Sequence, residues 1–314
     1  MGTADAPDYG VSVVIPCYNY GRFLKSAVDS VLAQDYGKFE VIVMDDGSKD
    51  ETPEVAMEYG HKIRYVRQEN QGLSATRNNG ILECRYPYVA FLDADDEWET
   101  NFLSILMGQF RRLPVEFALV ACLDSKIGVE GNSIDDREHN SIVGEVSSRD
   151  LILKNRFFPG GAVIKIEAFS VVGNFDTMLR SSEDRDMWIR LSSNYKLWLM
   201  PDRLIRIRKH GDNMSANGQR MMDNKLAVLS KAWEQGIVPR SDFATWLKAK
   251  ALLHYQVSWI FNNQFKRRES FSTILKSIFL WPFPMDITRL DVPTMFRIRA
   301  LARFLCDSFK QPSR

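Results

Sequence analysis

Two acidic clusters are the residues of this chain best suited to do chemistry. The segment DDGS spans residues 45–48, and the segment DADD spans residues 93–96. Each cluster follows a short apolar run of the kind that forms a buried strand. Carboxylates gathered in one place repel each other unless a cation or a donor-rich ligand compensates. Mg²⁺ and Mn²⁺ bind carboxylates together with phosphate oxygens, so the clusters indicate a metal-assisted phosphate site.

Two carboxylates in and near these clusters could have a purely structural role as helix caps. Asp50 and Asp96 could cap the helices that follow them, because an Asp side chain accepts hydrogen bonds from the free N–H groups of a first turn. Capping alone is a weaker interpretation of Asp93 and Asp95, which directly follow a predicted strand. A role at a metal–phosphate group is favoured for that pair.

The elements around the clusters predict how they are brought together. Short strand-like runs alternate with helical patterns, which predicts an α/β fold with a Rossmann-like, mostly parallel sheet flanked by helices. Right-handed crossovers put the carboxyl ends of such strands on one edge, where open α/β sheets bind ligands. Both acidic clusters are therefore expected at one crevice. The strand-like runs are 11–15, 39–44, 63–66 and 88–92, and the helical patterns are 23–34, 51–60 and 73–84.

Composition and charge exclude several classes of protein. With 45% hydrophobic residues among 314, the chain can bury a sizeable core. Its 41 Lys and Arg against 40 Asp and Glu give a net charge of +1, which argues against a nucleic-acid partner. The four cysteines lack CxxC spacing, so neither a disulfide framework nor a zinc site is expected. A reducing compartment suits that usage.

Targeting signals and common phosphate loops are missing from the sequence. The polar N-terminal decapeptide lacks the charged start of a signal peptide, and no apolar run reaches the roughly 18 residues of a spanning helix. We therefore expect a cytoplasmic protein, which could be peripheral at the inner face of a membrane. No GxxxxGK[ST] loop occurs and no GxGxxG follows the first strand, so those two modes of nucleotide binding are disfavoured.

Five segments in the first 210 residues together resemble the inverting family 2 glycosyltransferases, which have a GT-A fold. The resemblance implies an enzyme that moves a sugar from a nucleotide-diphosphate donor, a UDP-sugar by the family's habit, to a hydroxyl of a glycan or lipid-linked acceptor. It implies Mn²⁺ or Mg²⁺ as cofactor and a setting in bacterial cell-surface polysaccharide or glycolipid assembly. The segments are VSVVIPCYNYGRFLKSAVDSVLAQDY, FEVIVMDDGSKDET, ENQGLSATRNNGI, YVAFLDADDEW and VGNFDTMLRSSEDRDMWIRL.

The resemblance assigns a donor site residue by residue. Pro16, Tyr18 and Asp46 match positions that line the nucleotide base, with Asp46 accepting the imide hydrogen of a uracil. Arg77 matches a residue that contacts the base or the phosphates, although pairing with a surface acid is an alternative. Asp93 matches the carboxylate that contacts the ribose.

The resemblance also implies a metal site and a catalytic base. Asp95 matches the carboxylate that holds the metal between the donor's phosphates, and His210 matches a histidine that completes this site in some relatives, with a structural histidine as the alternative. Asp184 matches the general base that takes a proton from the acceptor hydroxyl, with Glu183 beside it. These two and Asp186 could instead be ordinary first-turn helix carboxylates. A helix N-terminus lowers the basicity of a carboxylate, so burial would have to raise the pKa of the base again.

The resemblance and the element pattern together divide the chain. We expect a disordered N-terminus over residues 1–10 and a GT-A catalytic domain over 11–215. The catalytic domain consists of a nucleotide-binding half, 11–113, and an acceptor-binding half, 114–215. A helical C-terminal region, 216–314, follows. Within the acceptor-binding half, a strand is predicted in 162–166, a helix in 183–193, and two further strands at 195–200 and 204–208.

The C-terminal segment has a composition of its own. From Lys248 to Arg314 it has twelve Lys or Arg against four Asp or Glu, a net charge of +8 mixed with bulky apolar residues. Basic and aromatic residues on amphipathic helices suit the interface of an anionic membrane. The alternative is a helical bundle packed on the catalytic domain with a solvated basic face.

Two other functions are open on the sequence. A nucleotidyltransferase also places carboxylates and a metal at a sheet edge, but it normally has a Gly- and Arg/Lys-rich loop after the first strand. Residues 16–23 read PCYNYGRF there, which argues against that class. A non-catalytic sugar-nucleotide-binding protein is the second alternative, and the intact set of carboxylates argues against it.

Overall fold

The computed structural model describes residues 9–135, 143–211, 218–285 and 295–309. The predicted disorder of residues 1–10 falls almost wholly outside the described residues. Within the described ranges, one curled sheet of ten strands runs through the molecule, with helices packed on both of its faces. The predicted α/β class is confirmed.

The first four strands form the parallel half of the sheet, as the sequence predicts. All neighbouring pairs among them are parallel, in the spatial order third, second, first, fourth. The side chains of the first, second and fourth strands are largely buried on both faces, which is why their apolar runs lack polar alternation. The strands are β1 (Val11–Cys17), β2 (Phe39–Asp45), β3 (Arg64–Arg67) and β4 (Tyr88–Phe91), connected by α1 (Gly21–Leu32), α2 (Thr52–Met57) and α3 (Leu73–Leu82).

The second half of the sheet is mixed rather than parallel. Its strands are β5 (Glu97–Trp98), β6 (Phe117–Ile127), β7 (Ser133–Asp135), β8 (Gly144–Val146), β9 (Ala162–Lys165) and β10 (Lys196–Arg208). The spatial order continues β4-β9-β6-β10-β5, with β7 beside β6 and β8 beside β10. β9 runs antiparallel to β4 and β6, and β5 runs antiparallel to β10, whereas β10 is parallel to β6. The parallel arrangement that the sequence predicts therefore applies to the first half.

The two strands predicted at 195–200 and 204–208 are one continuous strand, β10. Its register against β6 shifts between Leu199 and Arg203. Pro201 lies inside this shift. Because proline has no N–H to donate to a ladder, the pairing is interrupted there without ending the strand.

Helices cover both faces of the sheet with two separate hydrophobic clusters. Val14 of β1 points into one cluster, where Ile81 of α3 and Trp188 pack. Its neighbour Val13 points into the other, where Leu24 of α1 packs. This alternation follows from the two-residue period of a strand. The remaining helices are α4 (Phe102–Phe110), α5 (Ser148–Leu153), α6 (Glu167–Val172), α7 (Glu183–Ser192), α8 (Gly218–Glu234), α9 (Phe243–Asn263), α10 (Arg267–Leu280) and α11 (Phe296–Phe309).

The C-terminal helices pack on elements of residues 114–215, the predicted acceptor-binding half. Val228 of α8 and Leu253 of α9 belong to the same buried cluster as α3 and α7. α10 and α11 pack outside it through two small clusters of their own. Of the basic segment that starts at Lys248, the part in α9 is therefore packed as the bundle alternative supposes, and a domain boundary at residue 215 stays a prediction. No helix in the described ranges is long and apolar enough to cross a bilayer.

Candidate active site

Both acidic clusters lie at one edge of the sheet, as predicted. β1 pairs with β2 on one side and with β4 on the other, all three parallel, so their carboxyl ends face the same way. The first cluster follows β2 and the second follows β4. The N-terminus of α7, which carries the predicted base, is joined to this edge by one side chain, Arg77.

Arg77 is the buried centre of the site. It lies on α3 and is only 1% exposed. Its guanidinium donates to Oε1 of Glu183 at 2.7 Å and to Oδ1 of Asp93 at 2.8 Å. The rings of Phe91 and Phe175 lie 6.0 and 5.6 Å from it. Burial opposes the charge of Arg77, but the two carboxylates outweigh burial and hold its pKa above the ordinary value. Arg77 is therefore paired with acids, as the alternative supposes, but Glu183 is buried rather than at the surface. A contact of Arg77 with the base or the phosphates stays a prediction.

Asp95 and His210 meet across the sequence. Nε2 of His210 lies 2.9 Å from Oδ2 of Asp95. The His210 ring packs against Tyr20 and Phe23, with centroids 5.6 and 5.3 Å apart. Burial raises the pKa of Asp95, the nearby carboxylate of Asp93 adds to this, and His210 opposes it. The two residues assigned to the metal site therefore lie together, in a buried place where a negative charge is costly.

Asp96 does not cap a helix. Its Oδ1 accepts a hydrogen bond from the backbone N–H of Arg208 at 2.9 Å, across the sheet. The next helix, α4, begins six residues later and is preceded by Asn101. Burial raises the pKa of Asp96 well above its usual range, helped by its acidic neighbours. Glu51 is the N-cap residue of α2, but Asp50 just before it accepts from the N–H of Thr52, and also from that of Gly21 at the start of α1.

The predicted base-binding residues lie around the end of β1. Pro16 is buried within the strand, and Tyr18, just after it, is 43% exposed. Asp46 is buried and accepts three hydrogen bonds of 2.8 Å, from the backbone N–H groups of Gln71 and Gly72 and from the side chain of Gln68. Asp46 thus fixes the turn into α3, and its contact with a uracil stays a prediction.

Three carboxylates begin α7, and they have different surroundings. Glu183 is paired with Arg77, and burial raises its pKa while Arg77 opposes the rise. Asp186 forms ion pairs with Arg190 at 2.8 Å and Lys231 at 3.0 Å, so it has the structural role that the sequence left open. Asp184 has a different kind of partner.

Asp184 accepts a hydrogen bond from the side-chain amide of Asn155. Nδ2 of Asn155 lies 2.8 Å from its Oδ2. Burial is the main cause that raises the pKa of Asp184, and the N–H of Arg185 and the amide of Asn155 oppose it. Ser182, two residues before Asp184 at the N-cap of α7, has a left-handed backbone with φ of 63°. Such a conformation is costly for a residue with a side chain and is concentrated at functional sites.

Sequence reasoning did not identify Asn155 or Arg208 as site residues. The guanidinium of Arg208 donates to the backbone oxygens of Asp95 and Val129 at 3.0 and 2.6 Å and pairs with Glu97. It therefore holds the segment that carries the second acidic cluster. Neither residue lies in a recognised motif. For Arg208 the available signal was an arginine at the end of the predicted strand LIRIR, where an apolar residue is more usual.

The described residues by themselves do not form a complete metal site. No group of three or more His, Cys, Asp and Glu side chains in the described ranges is arranged to hold a metal ion. Asp95 and His210 supply two ligand atoms close together. Divalent ions of this kind take further oxygen ligands from substrate phosphates, so a two-residue set is compatible with a metal that binds along with its nucleotide.

Comparison with known proteins identifies the family. Residues 12–182 match the family described as Glycosyl transferase family 2. The chain therefore belongs to glycosyl transferase family 2, and the resemblance seen in the sequence is confirmed. An uncharacterized glycosyltransferase of Rickettsia prowazekii is 30% identical over 204 residues, which is 64% of this chain and 64% of the relative. The chondroitin synthase of Escherichia coli is 28% identical over 185 residues, 58% of this chain and 26% of the relative. The match covers less than two thirds of either relative's length.

Solved structures confirm the GT-A-type fold. S. aureus TarS 1-349 in complex with UDP-GlcNAc has a TM-score of 0.57 at 16% identity, and the match covers 96% of this chain and 93% of that one. Mannosyltransferase PcManGT from Pyrobaculum calidifontis in complex with GDP-Man and Mn²⁺ has a TM-score of 0.60 at 18% identity, covering 99% and 92%. At these identities the likeness concerns the fold.

Proposed function

We propose that this protein is an inverting glycosyltransferase that moves a sugar from a UDP-sugar to a hydroxyl of a glycan or lipid-linked acceptor. The observation that supports this best is the buried Arg77 bridge between Asp93 and Glu183. It connects the edge where a donor would bind with the start of α7, where an acceptor would be deprotonated. Family membership argues against the nucleotidyltransferase alternative.

The donor would lie along the ends of β1, β2 and β4. Tyr18 and Asp46 would contact the base, beside the buried Pro16, and Asp93, whose side chain is 35% exposed, would contact the ribose. Because the Arg77 side chain is almost completely buried, little of it can contact a ligand. We therefore assign it the role of holding Asp93 in place. Structural neighbours contain UDP-GlcNAc or GDP-Man, so the fold accommodates both bases. The choice of UDP is supported by the family resemblance.

Asp95 and His210 would hold a divalent metal at the donor's diphosphate. Mn²⁺ is present in the mannosyltransferase neighbour. The residues fit such an ion, because one carboxylate oxygen and one imidazole nitrogen face each other at 2.9 Å. Mg²⁺ prefers oxygen ligands, so participation of the imidazole favours Mn²⁺. When bound, the ion supplies Lewis-acid stabilisation of the negative charge on the departing nucleoside diphosphate.

Asp184 would be the general base. It would accept the proton of the acceptor hydroxyl while that oxygen forms a bond to the anomeric carbon and the bond from this carbon to the donor phosphate breaks. Attack opposite to the leaving group inverts the configuration. Asn155 holds Oδ2 of Asp184, and the acceptor hydroxyl would approach Oδ1. We favour Asp184 over Glu183 because Glu183 is already neutralised by Arg77. A carboxylate with a raised pKa is a better base near neutral pH.

The setting we propose is cytoplasmic, at the inner face of a membrane, in polysaccharide or glycolipid assembly. A lipid-linked acceptor would require this location. The proposal is supported by the family resemblance and by the basic C-terminal helices.

Calorimetric binding of UDP, GDP and dTDP, each with and without Mn²⁺, tests the donor site. We expect one nucleotide to bind in a metal-dependent way, and Asp95→Ala to abolish this. Asp35→Ala, at an exposed carboxylate outside the site, is the matched control and should bind as the wild type does. Absence of binding for all three nucleotides would refute the proposal. Binding without hydrolysis or transfer of the cognate sugar would favour the non-catalytic alternative.

A further inference from the structure

Helix α10 exposes a row of large apolar side chains. Phe271, Leu275 and Phe279 follow one another every four residues and so lie on one side of the helix. They are 38%, 43% and 88% exposed. Phe265 before the helix is 88% exposed, and Phe283 after it is 64% exposed. We refer to these five residues as the apolar stripe.

The opposite side of α10 explains why the stripe faces outward. The side chains buried against α9 are mainly small and polar: Ser270, Thr273 and Ser277. The hydroxyl of Ser270 donates to the backbone oxygen of residue 258 at 2.8 Å, and that of Ser277 donates to the oxygen of residue 251 at 2.6 Å. A surface helix normally buries its large apolar residues and exposes its polar ones. α10 buries Ile274 but leaves the large apolar side chains of the row exposed, and specific hydrogen bonds fix it in that orientation.

Exposed cations accompany the stripe. Lys266, Arg267, Arg268 and Lys276 are all exposed on the same helix or directly before it. Across residues 265–285 the sequence has a single acidic residue, Glu269. Two further arginines, at 299 and 303 on the neighbouring helix α11, are also exposed. The surroundings of the stripe are therefore strongly positive.

We propose that the apolar stripe docks on an anionic phospholipid bilayer. Phenylalanine and leucine side chains would enter the boundary between headgroups and acyl chains, and the flanking Lys and Arg would meet the anionic headgroups. Charge complementarity selects this occupant: an apolar contact between two copies of the chain would bring the same cations together, and like charges repel. The inference does not depend on the sugar-transfer proposal.

The location of α10 gives this docking a use. α10 packs on α9, α9 packs on α5 and α8, and α5 and α8 both contact α7, which carries Asp184. Docking would therefore hold the protein on the bilayer through the helices that support the predicted acceptor-binding half.

Co-sedimentation of the full chain with vesicles tests the proposal. We expect binding to vesicles of phosphatidylcholine with phosphatidylglycerol, and much weaker binding to phosphatidylcholine alone or at high salt. Replacing two stripe residues, Phe271→Gln with Phe279→Gln, should lower the partition coefficient about tenfold or more, because each phenylalanine contributes to insertion. Arg267→Glu with Arg268→Glu should lower it by a similar factor. Thermal unfolding checks that each variant is folded.

Control variants change exposed apolar and basic residues elsewhere. Leu82→Gln with Val115→Gln replaces apolar side chains that are 78% and 81% exposed, and Lys62→Glu reverses an exposed charge. These should bind vesicles as the wild type does. The proposal is overturned if the folded wild type ignores anionic vesicles, or if the stripe variants and the controls bind equally well. It is also overturned if the wild type self-associates in light scattering and the stripe variants abolish this without changing vesicle binding.

Discussion

Removing the charge of Arg77 is the sharpest test of how the site is held together. In Arg77→Met, the carboxylates of Glu183 and Asp93 lose their shared partner. The side chain of Glu183 is 9% exposed, so water cannot replace the lost interaction, whereas that of Asp93 is 35% exposed and is partly solvated. Removing one partner of a buried pair costs about 3–5 kcal/mol. We expect a loss in this range in the free energy of unfolding near neutral pH, mostly from Glu183.

The loss should depend on pH in a defined direction. Burial raises the pKa of Glu183 while Arg77 opposes the rise, so without Arg77 the pKa should rise further. A carboxyl whose folded pKa lies above its unfolded value binds extra protons in the folded state, and its folded state gains stability as pH falls. The deficit of the variant should therefore be largest at about pH 8 and shrink toward about pH 5. Urea unfolding at several pH values, followed by tryptophan fluorescence, measures this.

A second change separates the lost charge pair from lost packing. Arg77→Met with Glu183→Gln removes the unpaired buried charge, so it should recover about 2 kcal/mol or more and lose the pH dependence. Arg64→Met is the matched control, because Arg64 is 29% exposed with acidic partners at 3.5 and 3.8 Å, and it should cost under about 1 kcal/mol. The reasoning is refuted if Arg77→Met costs no more than this control, or if Glu183→Gln destabilises it further.

Three further predictions concern the base and the packing below the site. Asp184→Asn should lower kcat about 10²- to 10⁴-fold while calorimetric affinity for the donor nucleotide stays the same, and an equal loss of both would contradict its role as base. Asn155→Ala removes a donor that lowers the pKa of Asp184, so the acid limb of the kcat–pH profile should move to higher pH; an unmoved limb would contradict the contact. In Gly80→Ala a Cβ would lie 2.5 Å from the side chain of Val14, so thermal unfolding should show a loss of about 1–3 kcal/mol. Gly108→Ala, a helical glycine with open space, should be neutral or stabilising, and equal effects would contradict the packing argument.

The sequence predicts the first half of the fold well because its signals are local. Each of the four parallel strands is a short apolar run, and a helical pattern separates each from the next. The strand in 162–166 is predicted and is β9, but its antiparallel direction has no local signal, since a strand's direction depends on which neighbours it meets. β10 was divided into two strands because Pro201 and Asp202 resemble a turn, although the pairing with β6 resumes after them.

The candidate site was predicted as a set of residues, but not as a set of contacts. The partner of Arg77 could not be read locally, because Glu183 lies 106 positions away. Asp96 looked like a helix cap because Asp is common before helices, yet its actual partner is the N–H of Arg208, 112 positions away. Long-range pairing of this kind depends on how the second half of the sheet closes against the first.

Pairing of β4 with β9 joins the two halves of the sheet, and β5, the shortest strand in the described ranges, adds a second connection between them. β5 is two residues long and pairs antiparallel with β10, with Trp98 opposite Ile205 and Glu97 opposite Arg206. Because antiparallel strands run in opposite directions, residues just before β5 approach residues just after β10. Asp95 and His210 therefore meet although 115 positions separate them.

The register of this pairing decides whether the proposed metal ligands face each other. Ion pairs of Glu97 with Arg206 and Arg208 hold it in place. A slip of one residue would turn each side chain of the strand to the opposite face and would remove His210 from Asp95. The contact between the two proposed ligands thus depends on β5, a strand that contains neither of them. No pattern near position 95 or position 210 encodes that dependence, which is why a motif can identify the ligands without revealing what brings them together.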